Sequence, residues 1–270
     1  MKFDVNLTLM FEHLPLWDRP YAAAAAGFRA VEMWWPFVGP SPSDSEMSRM
    51  VRSIKDAGVQ LIALNFDGGD LPAGDRGLVS LPRQEKRFRE SVDAAVEIAR
   101  QVGGCEVFNA LYGNRLADTA LELQREVATE NLAYASAKAR AVDAIVVLEA
   151  LNRYENPHYP LTSTQGVLAC MDAIEESTGA KLWCLYDCYQ MQRMEGNLTQ
   201  TIRTHAARFG HVQIADPPGR NEPGTGEVNF VNVLATLDVS SYEGWVGLEY
   251  RPSSETVDPF SWLPENARVS

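Results

Sequence analysis

Four residues in the second half of the chain, Glu149, Asp187, Gln213 and Glu249, carry side chains that bind hard cations through oxygen. They are separated by 38, 26 and 36 residues, each close to one strand-plus-helix unit. Each stands in or at the end of a short apolar run: "AIVVLE", "KLWCLYD", "HVQIAD" and "WVGLEY". An ionised carboxylate beside a buried strand costs several kcal/mol unless something compensates it. Three carboxylates together repel one another and drive their pKa values up unless a cation sits among them. A structural ion pair explains any one of these residues, but four on successive strands point to a divalent metal. An all-oxygen donor set suits Mg²⁺ or Mn²⁺ better than Zn²⁺, which prefers nitrogen and sulfur. The sequence does not choose between Mg²⁺ and Mn²⁺.

Positioning four such residues together requires strands that end on one rim. Apolar runs begin at Phe3, Ala30, Val59, Cys105, Ala144, Lys181, His211 and Trp245. Helix-like segments lie between them, including "PYAAAAAG", "DSEMSRMVRSIKDAG", "QEKRFRESVDAAVEIARQVGG", "LADTALELQREVATENLAYASAKAR" and "TSTQGVLACMDAIEESTG". Several close on glycine, the expected C-terminal signal. Eight strands alternating with helices over 270 residues predict a (β/α)8 TIM barrel, α/β in class and one domain over 1–270. A doubly wound open sheet is the rival, but "NLTLMFEHLP" after the first strand lacks the glycine-rich phosphate turn. In a barrel, strand C-termini form the active face.

A net charge of −12 and 22% charged residues oppose nucleic acid and anionic membranes as partners. No apolar run approaches the length of a membrane span. The N-terminus "MKFDVNLTLMF" carries an Asp in its apolar stretch and no small-residue cleavage site, so no signal peptide is expected. Cys105, Cys170, Cys184 and Cys188 form no C-x-x-C pair and read as free thiols in a reducing cytoplasm. Cys184 and Cys188 would need a second pair to hold zinc. A small-molecule partner is expected; homo-oligomer formation stays open.

The segments "GFRAVEMWWP", "LPAGDRGL", "YDCYQMQRMEGNLT", "HVQIADPPGRNEPGTGEVNF" and "YEGWVGLEYRP" closely resemble the hydroxypyruvate isomerase family. That family belongs to the xylose isomerase-like barrels, with the 2-oxotetronate isomerases and ketose 3-epimerases. The resemblance runs from about Phe3 to Pro252. It implies metal ligands at Glu149, Asp187, Gln213 and Glu249 and proton transfer by Glu149 and Glu249. It implies isomerisation of a small hydroxy-keto acid, hydroxypyruvate to tartronate semialdehyde, through an enediolate. A related isomerase or epimerase is the alternative, and a non-catalytic sugar-acid-binding barrel a rival of another class.

Glu155, six residues past Glu149, matches a substrate-contacting Glu of related epimerases. Arg220 in "PPGRNEP" is the candidate partner of a substrate carboxylate, since guanidinium binds carboxylate bidentately. Gln190 in "DCYQM" stands where the family usually has His; it can hydrogen-bond substrate but carries no proton charge near neutral pH. Trp34, Trp35 and Phe66 are expected to wall the site or pack under loops, and Asn6 and Asn65 to offer polar contacts. His13 and His158 are expected on loops at the catalytic end. His205 falls in a helix and His211 at the start of strand seven, both structural, with His211 on the face opposite the site.

Overall fold

In the computed structural model, which describes residues 1–254, 256 and 258–268, eight parallel strands close into a barrel in chain order. They are β1 (Lys2–Asn6), β2 (Ala30–Met33), β3 (Gln60–Asn65), β4 (Val107–Asn109), β5 (Ile145–Glu149), β6 (Trp183–Asp187), β7 (Phe209–Ile214) and β8 (Trp245–Leu248). Closure is direct: Phe3 of β1 pairs with Val246 of β8. That excludes the open doubly wound sheet.

The helices around the barrel are α1 (Arg19–Ala25), α2 (Asp44–Ala57), α3 (Glu85–Val102), α4 (Leu121–Arg140) and α5 (Thr164–Thr178). They continue with α6 (Cys188–Met194), α7 (Leu198–His205), α8 (Phe230–Asp238) and α9 (Glu265–Arg268). Sequence signals set many of their ends. Ser43 and Glu46 form a capping box at α2, and Gly58, Gly103 and Gly179 close α2, α3 and α5 in the left-handed conformation. The α4 pattern was expected from Leu116, yet the helix begins at Leu121. Gln124 Oε1 accepts from the Leu116 N–H at 3.1 Å, which holds the preceding residues in a turn. The short helices α6 and α8 were not foreseen.

The main apolar core lies between barrel and helices. The barrel interior is divided. On the β3–β6 side it holds Ala63, Val107, Val147 and Leu185. On the β1, β2, β7 and β8 side it holds Asp4, Glu32, His211 and the bare Gly247. Side chains two apart on a strand share a face, so the next inward position is the mouth. There the strands deliver Asn6, Asn65, Asn109, Glu149, Asp187, Gln213 and, just past β8, Glu249.

Candidate metal and substrate site

Strand register assembles the predicted four. Glu149 pairs with Leu185, Asp187 with Gln213, and Gln213 with Gly247, the second residue before Glu249. All four are buried. Glu149 Oε2 accepts from Asn109 Nδ2 at 2.9 Å. Asp187 Oδ1 accepts from the backbone N–H groups of Tyr189 (2.7 Å) and Gln190 (3.3 Å), capping α6. Its Oδ2 lies 3.9 Å from Arg220 Nη2. Glu249 Oε1 accepts from Trp34 Nε1 (2.7 Å), Asn6 Nδ2 (3.2 Å) and Gln213 Nε2 (3.2 Å), while its Oε2 pairs with the Arg220 guanidinium.

Charge is poorly balanced here. Burial, then the facing Glu249 and Asp187, hold the Glu149 carboxyl well above the usual range. Burial raises Asp187 to about 7, with Arg220 opposing and Glu249 adding to the rise. Glu249 is raised by burial against the opposing pull of Arg220. One guanidinium faces three carboxylates, and Gln213 Oε1 is buried with no hydrogen-bond partner. Three buried carboxylates and an orphaned amide oxygen are a donor set that a hard divalent cation satisfies, although the three carboxylates do not all bring an oxygen within 4.8 Å of one another. The residues present fit such an ion.

Glu149, Glu249, Glu155, Gln190, Arg220 and Trp34 line a cavity of about 490 Å³ at this mouth. The Glu155 carboxylate accepts from the Tyr189 hydroxyl (2.6 Å) and Asn152 Nδ2 (2.9 Å) and pairs with Arg193. Burial works against its charge, but these donors outweigh that and hold its pKa low. Gln190 Oε1 accepts from the N–H and Nδ2 of Asn152 at 2.8 and 2.6 Å, tying the loop after β5 to α6. Arg220 adopts a left-handed φ of 56° and lies 5.1 Å from the Tyr189 ring centre. Its Nε is buried without an acceptor.

The remaining expectations divide. Asn6 bonds Glu249, Asn65 lines the cavity, and Trp34 holds a candidate ligand. Trp35 stacks edge-on to Phe37, and Phe66 lies in the core against Phe88 and Phe108. His13 and His158 are exposed and do not line the cavity. His205 ends α7. The reading of His211 needs correction. β7 starts two residues earlier, at Phe209, which places His211 inside the barrel on the same face as Gln213. Its Nε2 lies 2.7 Å from Glu32 Oε2, and Glu32 in turn bonds Gln213. Burial disfavours the charged imidazole, but the Glu32 contact outweighs it and raises the His211 pKa.

Among the described residues, one group of carboxylate and imidazole ligand atoms lies within 4.8 Å throughout: Asp4, Glu32 and His211. It sits beneath the mouth and is distinct from the predicted four. Asn6, Gln213 and His211 engage Glu32, which ties this group to the mouth, while both Asp4 carboxylate oxygens and His211 Nδ1 are buried without a hydrogen-bond partner. Asp4, Glu32, Asn109 and Tyr189 were missed in the sequence. Asp4 and Glu32 each stand as a charge inside an apolar strand run, which marks a buried charge but not the face it takes. The four cysteines are free, as expected. No helix among the described residues is long and apolar enough to cross a membrane.

Comparison with known proteins agrees with this fold. The family model for xylose isomerase-like TIM barrels matches residues 20–268. A Streptomyces coelicolor protein that carries hydroxypyruvate isomerase as a provisional name is 46% identical, over 100% of this chain and 98% of its own. A Cupriavidus necator protein named 2-oxo-tetronate isomerase is 34% identical over 97% of both chains. A solved Brucella melitensis structure, described as a family 2 AP endonuclease, superposes with a TM-score of 0.86 at 30% identity, covering 97% of each chain. The chain belongs to the xylose isomerase-like TIM barrel family and is an enzyme of the isomerase class.

Proposed function

We propose that the chain is a divalent-metal-dependent isomerase of a small hydroxy-keto acid, converting hydroxypyruvate to tartronate semialdehyde (2-hydroxy-3-oxopropanoate). The observation that carries this reading is the set of buried carboxylates Glu149, Asp187 and Glu249 at one barrel mouth with an unpartnered Gln213 oxygen, Glu149 and Glu249 lining a cavity. Glu149, Asp187, Gln213 and Glu249 would hold Mg²⁺ or Mn²⁺. Such an ion supplies positive charge that acidifies the C–H bond between neighbouring carbonyl and hydroxyl groups.

One of the two cavity glutamates removes a proton from C3 of the substrate, and a proton returns to C2. The hydroxyl hydrogen moves from O3 to O2, so atoms balance and no redox cofactor is required. Raised carboxyl pKa values suit this task, because a general base works best when poised near the operating pH. Arg220 lines the cavity and offers its guanidinium to the substrate carboxylate. Gln190, whose carbonyl is engaged by Asn152, offers its amide N–H groups to a substrate oxygen. Glu155 contacts substrate from the rim. Four free thiols support a reducing, cytoplasmic setting. The net charge of −12 opposes nucleic acid as substrate.

A second reading, 2-oxotetronate isomerisation, is favoured by the Cupriavidus relative and by a cavity roomy enough for a four-carbon acid. Reaction in D₂O over a panel of three- to six-carbon hydroxy-ketones separates these. Solvent deuterium should enter hydroxypyruvate in the presence of Mn²⁺. Faster incorporation into the four-carbon acid would favour the second reading, and turnover with no deuterium in any product would overturn a solvent-exchanging enediolate.

A further inference from the structure

We propose that Glu32, lodged inside the barrel in space left by Gly247, is the positioning residue that turns the Gln213 amide so that its oxygen faces the metal. This rests on the metal reading above. Gln213 Nε2 donates to Glu32 Oε1 at 2.9 Å and to Glu249 Oε1 at 3.2 Å. The reversed amide would set its oxygen against two carboxylate oxygens, a contact of acceptors with no proton between them. The observed orientation therefore follows from the carboxylates, and it frees Oε1, the buried atom without a partner.

Two carboxylates face the amide, but Glu32 is the better anchored for this task. Asn6 Nδ2 donates to its Oε1 at 2.8 Å, and His211 Nε2 lies 2.7 Å from its Oε2. Glu32 is 2% exposed and does not line the cavity. Glu249, by contrast, lines the cavity. The backbone makes room for the Glu32 carboxylate. A Cβ at Gly247, the register neighbour of Gln213, would lie 2.8 Å from Glu32 Oε2. Groups that hold and orient a metal ligand commonly change metal affinity by about 10–100-fold when removed.

The test is a double-mutant cycle on Mn²⁺ affinity, read from the electron spin resonance of free Mn²⁺ in chelator-stripped protein. Glu32→Met keeps the volume but removes both acceptors. It should weaken Mn²⁺ binding by about 10–100-fold in the wild-type background. In a Gln213→Ala background, with no amide to turn, the same change should cost less than about threefold. Equal losses in both backgrounds overturn the proposal, because Glu32 would then act without Gln213. Wild-type protein that binds no Mn²⁺ would instead refute the metal reading itself, so the two failures are distinct. Should Glu32→Met not fold, Gly247→Ala carries the same cycle. It retains every polar group yet pushes the Glu32 carboxylate out of place. Loss of affinity that disappears in the Gln213→Ala background supports the proposal, and unchanged affinity in the wild-type background overturns it.

Discussion

Glu249→Gln should fold, retain Mn²⁺ binding and lose about 10²–10⁴-fold in kcat, the usual effect of removing a general base. The geometry explains why the fold should tolerate it. Glu249 Oε1 accepts from Trp34, Asn6 and Gln213, and a glutamine carbonyl in that place accepts from the same three donors. The new amide nitrogen takes the position of Oε2, opposite Arg220, where donor would meet donor. Some loosening of Arg220 should therefore accompany the lost basicity and appear as a higher KM for acid substrates. The check is kcat and KM with hydroxypyruvate alongside a thermal melt. A kcat within tenfold of wild type would remove Glu249 from proton transfer.

Arg220→Ala should raise KM for hydroxy-keto acids about 10- to 150-fold, as expected from a charge-assisted contact worth roughly 1.5–3 kcal/mol. Neutral hydroxy-ketones of the same length should be far less affected. Arg220 already pairs with Glu249 and lies 3.9 Å from Asp187, so its removal also leaves three carboxylates with less compensation. That second effect falls on every substrate alike. The acid-specific part is thus the ratio of the two KM changes, measured by steady-state kinetics on a matched acid and neutral pair. A ratio near one means that Arg220 only balances charge.

Much of the barrel could be read from the chain because parallel strands are buried on both faces and stand out as short apolar runs. The same property hid the interior. In "FDVN" and "AVEM" nothing local tells whether Asp4 and Glu32 face the barrel axis or the helices. Only closure of β8 against β1, and the bare Gly247, decide it. His211 was misplaced for a related reason. A register irregularity between Cys184 and Leu185 lets β7 begin at Phe209, which the apolar pattern does not announce. The mouth residues were legible because strand ends concentrate chemistry in this architecture. Asp187 carried a second role that no spacing reveals, capping a seven-residue helix too short to show periodicity.

We propose that Glu149, Asp187, Gln213 and Glu249 hold one divalent ion on which turnover depends. A Mn²⁺ titration of chelator-stripped protein, following bound metal and hydroxypyruvate turnover together for the wild type and Asp187→Asn, decides it. An asparagine can still cap α6 through its side-chain oxygen, so the helix should survive the substitution. The wild type should bind one ion per chain, with rate rising in step with occupancy. Asp187→Asn should bind at least about tenfold more weakly, with activity partly restored by excess Mn²⁺. Full turnover by stripped protein, or binding unchanged by Asp187→Asn, would contradict it.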